Sequence, residues 1–177
     1  IQKGFNQLTT LQKIDGSFSL WSHNGQTEPW LSLYTADLLH SMKQAGHAVP
    51  VALIQSVDHW LKEMEQRSIN PSTEHQSANI SIAAYAHYIL AKENQSSLRS
   101  LRFFADSHQK DIIRRRELAF IGAAFAHYGD AQNATLWFDK AINTIDTQND
   151  SDFLSFGSEL RDNAILVTLI AETTQNN

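Results

Sequence analysis

The residues best suited to chemistry lie near the start of the chain. Asp15-Gly16-Ser17-Phe18-Ser19-Leu20-Trp21 is followed by Glu28-Pro29-Trp30, so two carboxylates flank two indoles. Such a pair of acids can supply the acid and base of glycoside cleavage, and Trp faces stack on sugar rings. The same residues also have a structural reading. Asp15 would close a turn, Glu28 would favour a helix N-terminus through its dipole, and Phe18, Leu20 and Trp21 would fold back to plug one end of the helical array. Other chemistries have less to stand on. None of His23, His40, His47, His59, His75, His87, His108 and His127 lies four residues from another, so the spacing predicts no metal site. Cysteine is absent, which removes disulfides, zinc fingers, iron–sulfur clusters and thiol catalysis. No Gly-rich loop precedes a helix to cradle phosphate, and no Ser–His–Asp arrangement stands out. The run Arg114-Arg115-Arg116, with Lys110 before it, is expected on a solvated helix face, pairing with Glu117 or Asp111.

The 177 residues include 14 Lys+Arg against 19 Asp+Glu, a formal net charge of −5. A phosphate backbone needs a concentrated basic face, so nucleic acid is not an expected partner. A chain of this length buries roughly 70% of the surface that it exposes when unfolded, enough to fold without metal or disulfide. No apolar run approaches the ~20 residues of a membrane span. The composition predicts an acidic globular domain. The chain starts at Ile1 and already reads as helix there, so it is expected to be a piece of a longer protein whose targeting signals lie elsewhere.

The elements that must position the acids and indoles are helical. Ile1, Phe5, Leu8, Leu11 and Ile14 recur at steps of three and four and predict a first helix, ended by Asp15-Gly16. Asp15 to Gln26 is a polar loop. A second helix starts near Thr27 as N-cap, with Pro29 in its first turn, buries Leu31, Tyr34, Leu38 and Met42, and ends at Gly46. Pro50 opens a third, bearing Leu53, Ile54, Val57, Trp60, Leu61 and Met64, and Ser68 to Ala78 is a polar linker. Further helices are predicted over about 79–93, 96–107, 110–128 and 131–145, then a polar stretch from Asp146 to Ser158. In the fourth, Ile82, Ala86 and Ile89 face inward. The eighth, about 159–173, carries a nearly continuous apolar run from Ala164 to Ala171 and is expected to be buried on several sides. No segment alternates with period two, so the fold is all-α. Ala84-Tyr85-Ala86-His87-Tyr88 returns as Ala124-Phe125-Ala126-His127-Tyr128 after 40 residues, the length of one helical hairpin. This repeat favours an α/α array or toroid and makes His87 and His127 equivalent structural residues.

These motifs together resemble a known family. Asp15-Gly-Ser-Phe-Ser-Leu-Trp21, Glu28-Pro-Trp-Leu-Ser-Leu-Tyr-Thr-Ala-Asp-Leu-Leu39, Ala45-Gly-His-Ala-Val-Pro50 and Trp60-Leu61 look like the thioester domain of bacterial alpha-2-macroglobulins. The likeness continues through Ala123-Ala-Phe-Ala-His-Tyr-Gly-Asp130 and Gly157-Ser-Glu-Leu-Arg-Asp162, and so spans most of the chain. It implies that residues 1–177 are a fragment of one α/α-toroid of helical hairpins, an incomplete toroid that ends before the last helices. It further implies a non-enzymatic endopeptidase inhibitor that encloses proteases after bait cleavage, in a periplasmic or envelope-associated parent anchored by a segment outside this chain. The partners implied are target proteases, other domains of the parent and, as a further suggestion, a peptidoglycan synthase; no cofactor is implied.

The resemblance also has departures. The family's C-x-E-Q thioester motif is absent from this chain, and Ser17, Ser19 and Ser32 stand where Gly or Thr is usual. As thioester-pocket or interface residues the likeness offers Trp21, His23, Asn24, Glu28, Trp30 and Tyr34. His23 or Asn24 falls where a His tunes the thioester in complement relatives. Trp21, Trp30 and Tyr34 would shield a thioester, which survives only while dry. Two other readings remain beside this one: an α/α-toroid carbohydrate-active enzyme using Asp15 or Glu28, and a helical-repeat interaction scaffold.

Overall fold

Eight α-helices, with no strand beyond one isolated bridge, make up the described residues 1–67, 76–145 and 158–175 of the computed structural model. They are α1 (Gln2–Leu11), α2 (Pro29–Gln44), α3 (Val51–Arg67), α4 (Gln76–Lys92), α5 (Leu98–Ser107), α6 (Arg115–His127), α7 (Ala131–Asn143) and α8 (Glu159–Gln175). The all-α array expected from the periodicity is therefore present. Most of the two polar stretches, residues 68–75 and 146–157, lies outside the described residues. The chain divides into two compact units, Ile1–Gln66 and Arg67–Asn177.

In the first unit, α1 stops at Leu11, short of the predicted end. Gln12 turns extended (φ −72°, ψ 132°) and bridges to Phe18. Ile14, expected on the buried face, is fully exposed because it sits in the turn closed by Gly16 N–H on the Lys13 carbonyl (3.0 Å). Helix α2 begins at Pro29, where the missing N–H leaves no orphan donor. It is rotated from the predicted orientation: Trp30, Leu33, Ala36, Leu39 and His40 are buried, while Leu38 is exposed. Apolar residues occupy both sides of this helix, and the polar contacts of Ser32 and His40 decide which side turns in. His40 Nε2 lies 2.7 Å from Asp58 Oδ1 and clasps α2 to α3. Leu53, Ile54, Val57, Trp60 and Leu61 of α3 are buried as expected.

The second unit is built around α4 and α6. Ala83 to Ala91 and Arg116 to Phe125 are buried without interruption, which neither helix's periodicity foretold. Ile82, expected to face inward, is only half-buried. A small residue permits the close approach of α6 to α7: a Cβ on Gly122 would meet the Phe138 ring at 3.0–3.2 Å. Ser81 contacts Glu117 across 36 residues, and Tyr85 stacks on Phe120 with centroids 4.2 Å apart. The two helices thus run parallel, offset by about one turn less than the forty-residue repeat. Glu117 accepts from Ser81 Oγ and from the N–H groups of Ile113 and Arg114 (both 3.3 Å), closing the start of α6. Burial pushes its carboxyl up, and those hydrogen bonds pull the other way.

Two expectations are corrected here. Of the arginine run only Arg114 pairs as expected, with Glu117 at 4.0 Å, and the run is not a solvated face. Arg116 is buried and pairs with Asp162 of α8 (3.3 Å), while Arg115 donates to the Thr144 carbonyl and to Asn163 Oδ1. Helix α6 starts at Arg115 instead of near Lys110, which turns these side chains toward α8 and the end of α7. Helix α8 is not buried on several sides either. Asp162, Leu166, Leu169 and Thr173 face in, and Val167 is 68% exposed. Its apolar run is a stripe on each side of one helix, and only one stripe packs.

Candidate functional site

The Asp15–Trp21 loop is built from hydrogen bonds that consume its polar groups. Asp15 Oδ1 accepts from Ser17 N–H (3.0 Å) and Ser17 Oγ (2.7 Å), the local turn that a short acidic side chain favours. Lys13 Nζ reaches the Gly25 carbonyl (3.0 Å) and Thr27 Oγ1 (2.9 Å), tying the start of the loop to its end. Gly16 adopts φ +88° against α3, where a Cβ would sit 1.8 Å from the Ser56 carbonyl oxygen. Gln12 Nε2 donates to the Gly16 and Leu53 carbonyls (3.2 and 3.0 Å). Phe18 is buried, its N–H donates to Ser32 Oγ (2.8 Å), and its carbonyl accepts from Glu28 N–H (3.0 Å). One aromatic ring is thus driven into the unit and its backbone is bonded to the first turn of α2.

The predicted site residues divide into two groups. Trp21, His23 and Asn24 are exposed on the loop, with Trp21 at 89%. Glu28 is the N-cap residue of α2, without a side-chain cap bond, and Thr27, the expected cap, binds Lys13 and Ser17 instead. Trp30 is 3% exposed and Tyr34 half-buried, one helical turn apart with centroids at 5.9 Å. Of the three side chains expected to fold back, only Phe18 does so; Leu20 and Trp21 stand in solvent because the Gln12–Phe18 bridge and the Ser22–Gly25 turn carry the chain past them. A sugar cleft would need both indoles on one open surface, and here one is free and the other buried. Asp15, bound into its own turn, plays the structural part.

Sequence reasoning missed three polar clusters. These are His40–Asp58, the Arg115/Arg116 contacts to α8, and Glu172, which gathers Tyr88, Lys92 and His127. Each joins residues far apart in sequence, so no local spacing announces it. His87, by contrast, is a buried core residue against Phe104 (4.7 Å), as its place in the repeat suggested. Among the described residues no group of three His, Asp or Glu is disposed to hold a metal ion. A groove of about 280 Å³ lies between α5 and α7, floored by Ala105, Phe125 and Trp137, and includes none of the predicted site residues.

No family model matches the sequence. Among individual proteins, 174 residues align at 28% identity with alpha-2-macroglobulin of Escherichia coli K12, covering 96% of this chain and 10% of that protein. The alpha-2-macroglobulin of Xylella fastidiosa Temecula1 aligns over 173 residues at 25% identity, with the same coverage of both. In structure, native E. coli alpha-2-macroglobulin from domain MG7 to the C-terminus superposes with a TM-score of 0.87 at 28% identity, over 97% of this chain and 28% of that one. The trypsin-activated E. coli protein matches at 0.84 and 27% identity over 97% of this chain and 12% of that one, and the form activated by porcine elastase at 0.86 and 28% identity over 97% and 16%. The chain is homologous to a segment of bacterial alpha-2-macroglobulins. It spans about a tenth of the length of the curated relatives that it matches.

Proposed function

We propose that this chain is part of a thioester-type α/α-toroid domain in a bacterial alpha-2-macroglobulin-like protein that traps proteases at the cell envelope. The observation that carries the reading is the near end-to-end match, in sequence and in backbone, to one protein solved in native and protease-activated forms. A fold alone would not license it, since helical arrays serve many functions. In this reading the chain is not an enzyme. It contains no cysteine and so contributes no acyl donor of its own.

Its part is structural and shielding. The exposed Trp21, His23 and Asn24 offer an edge for other domains of the parent, with Glu28 behind them at the helix start. In this reading Trp30 and Tyr34, ring neighbours on α2, are the aromatic wall. Such a wall protects a thioester by excluding water. Target proteases are the partners of the whole protein, and a peptidoglycan synthase is a further one to test by co-purification from the envelope.

The experiment uses the intact parent protein. Its mass is recorded before and after methylamine, beside an assay of a protease's access to a large substrate after bait cleavage. A methylamine adduct with retained trapping supports a thioester-bearing trap, and trapping without an adduct supports a mechanical one. A parent that neither traps nor slows any of a panel of proteases overturns the proposal.

A further inference from the structure

Two acids hold α8 to its unit, one near each end. Asp162 receives Arg116 Nη1 at 3.3 Å and also the neighbouring Arg161. Ten positions along the chain in the same helix, at its far end, Glu172 gathers groups from two helices. Its Oε2 accepts from Tyr88 Oη of α4 (3.0 Å), and its Oε1 lies 3.3 Å from Lys92 Nζ of α4 and 3.7 Å from His127 Nε2 of α6. Between the acids the packed stripe consists of Leu166 and Leu169, and Thr173 continues it just past Glu172. The rest of the unit's core, among it Tyr85, Ile89, Leu101, Phe104, Phe125 and Trp137, is supplied by α4 to α7.

The surface beneath α8 is tipped with polar groups: Tyr88, Lys92, Arg115, Arg116 and His127. Water can satisfy these if the helix leaves, and α8 itself gives up only two buried large apolar side chains, Leu166 and Leu169. We infer that α8 is a releasable helix, which detaches as one unit while α4 to α7 stay folded, with the charge pairs at Asp162 and Glu172 setting its hold. This concerns the fold and is independent of the protease-trap reading, so either can fail without the other.

Amide hydrogen exchange on the 177-residue chain tests it. Amides of α8 are expected to exchange at least about tenfold faster than those of α4 and α6, with a common rate along the helix. Glu172→Gln and Asp162→Asn, which keep size and lose charge, should each speed α8 by about a further tenfold and leave α4 unchanged. Val167→Thr, on the outer face, should change neither. Equal exchange in α8 and α6, or an equal response of both to the two variants, overturns the inference. Should a variant fail to fold, the urea dependence of exchange in the unmodified chain decides. Release of α8 at lower urea than α6 supports a detachable helix, and a shared dependence overturns it.

Discussion

Replacing Gly16 by Ala tests the loop architecture against an internal control. Gly16 and Gly46 have nearly the same backbone, φ +88° and +83°, but different surroundings. A Cβ at Gly46 meets nothing within 4 Å, whereas at Gly16 it falls 1.8 Å from the Ser56 carbonyl oxygen and 2.5 Å from its carbon. A left-handed backbone costs an L-residue about 1–2 kcal/mol. Ala restrains the unfolded chain and returns about 0.4–1 kcal/mol of that. Gly46→Ala should therefore lose about 1 kcal/mol. At Gly16 the obstacle is backbone, which cannot rotate aside. Either α3 withdraws by more than an ångström or the turn closed by Gly16 N–H on the Lys13 carbonyl must be rebuilt. Overpacking of this kind adds about 1–3 kcal/mol, so Gly16→Ala should lose about 2–4 kcal/mol. Urea unfolding by far-ultraviolet circular dichroism measures both, and amide exchange within residues 1–66 assigns the loss to the first unit. Equal losses at the two glycines would refute the close approach of the loop to α3.

Other outcomes follow from single residues. Phe18→Ala should destabilise by about 3–5 kcal/mol and Trp21→Ala by less than about 0.5 kcal/mol in urea melts, because one ring is buried and the other is in solvent; similar losses would show that the loop is misplaced. Trp60→Ala and Phe125→Ala, both buried, should each cost about 3–5 kcal/mol, and a loss under 1 kcal/mol would contradict their place in the core. Burial holds His127 below its usual pKa of 6.5, with Lys92 acting the same way and Glu172 and Glu93 opposing. The unfolded chain then takes up the proton first, so stability present above pH 6.5 is lost as pH falls from there toward the folded-state value. His127→Gln should flatten this part of the pH–stability curve measured from about pH 5 to 8; an unchanged slope would rule out the assignment.

The sequence by itself determined the helices and most of their limits. Three-and-four spacing, Pro29 at a first helical position, Asp130 capping α7 and Gly46 and Gly129 after helix ends all act within a few residues, and short-range physics reads them directly. The order of motifs was enough to raise the alpha-2-macroglobulin resemblance, and the homology agrees with it. Tertiary structure decided what local spacing leaves degenerate. Helix α2 has apolar residues on two sides, and Ser32 bonding to the Phe18 backbone turned Leu33 inward and Leu38 outward. In α8 the run from Ala164 to Ala171 looked uniformly buried, but a helix packs only the stripe that meets a neighbour, here Leu166 and Leu169. Three consecutive arginines read as a solvated face because the partners of two of them are remote: Asp162 is 46 residues from Arg116 and Asn163 48 from Arg115. Charge pairing and burial depend on what the fold brings together, and no spacing along the chain encodes that.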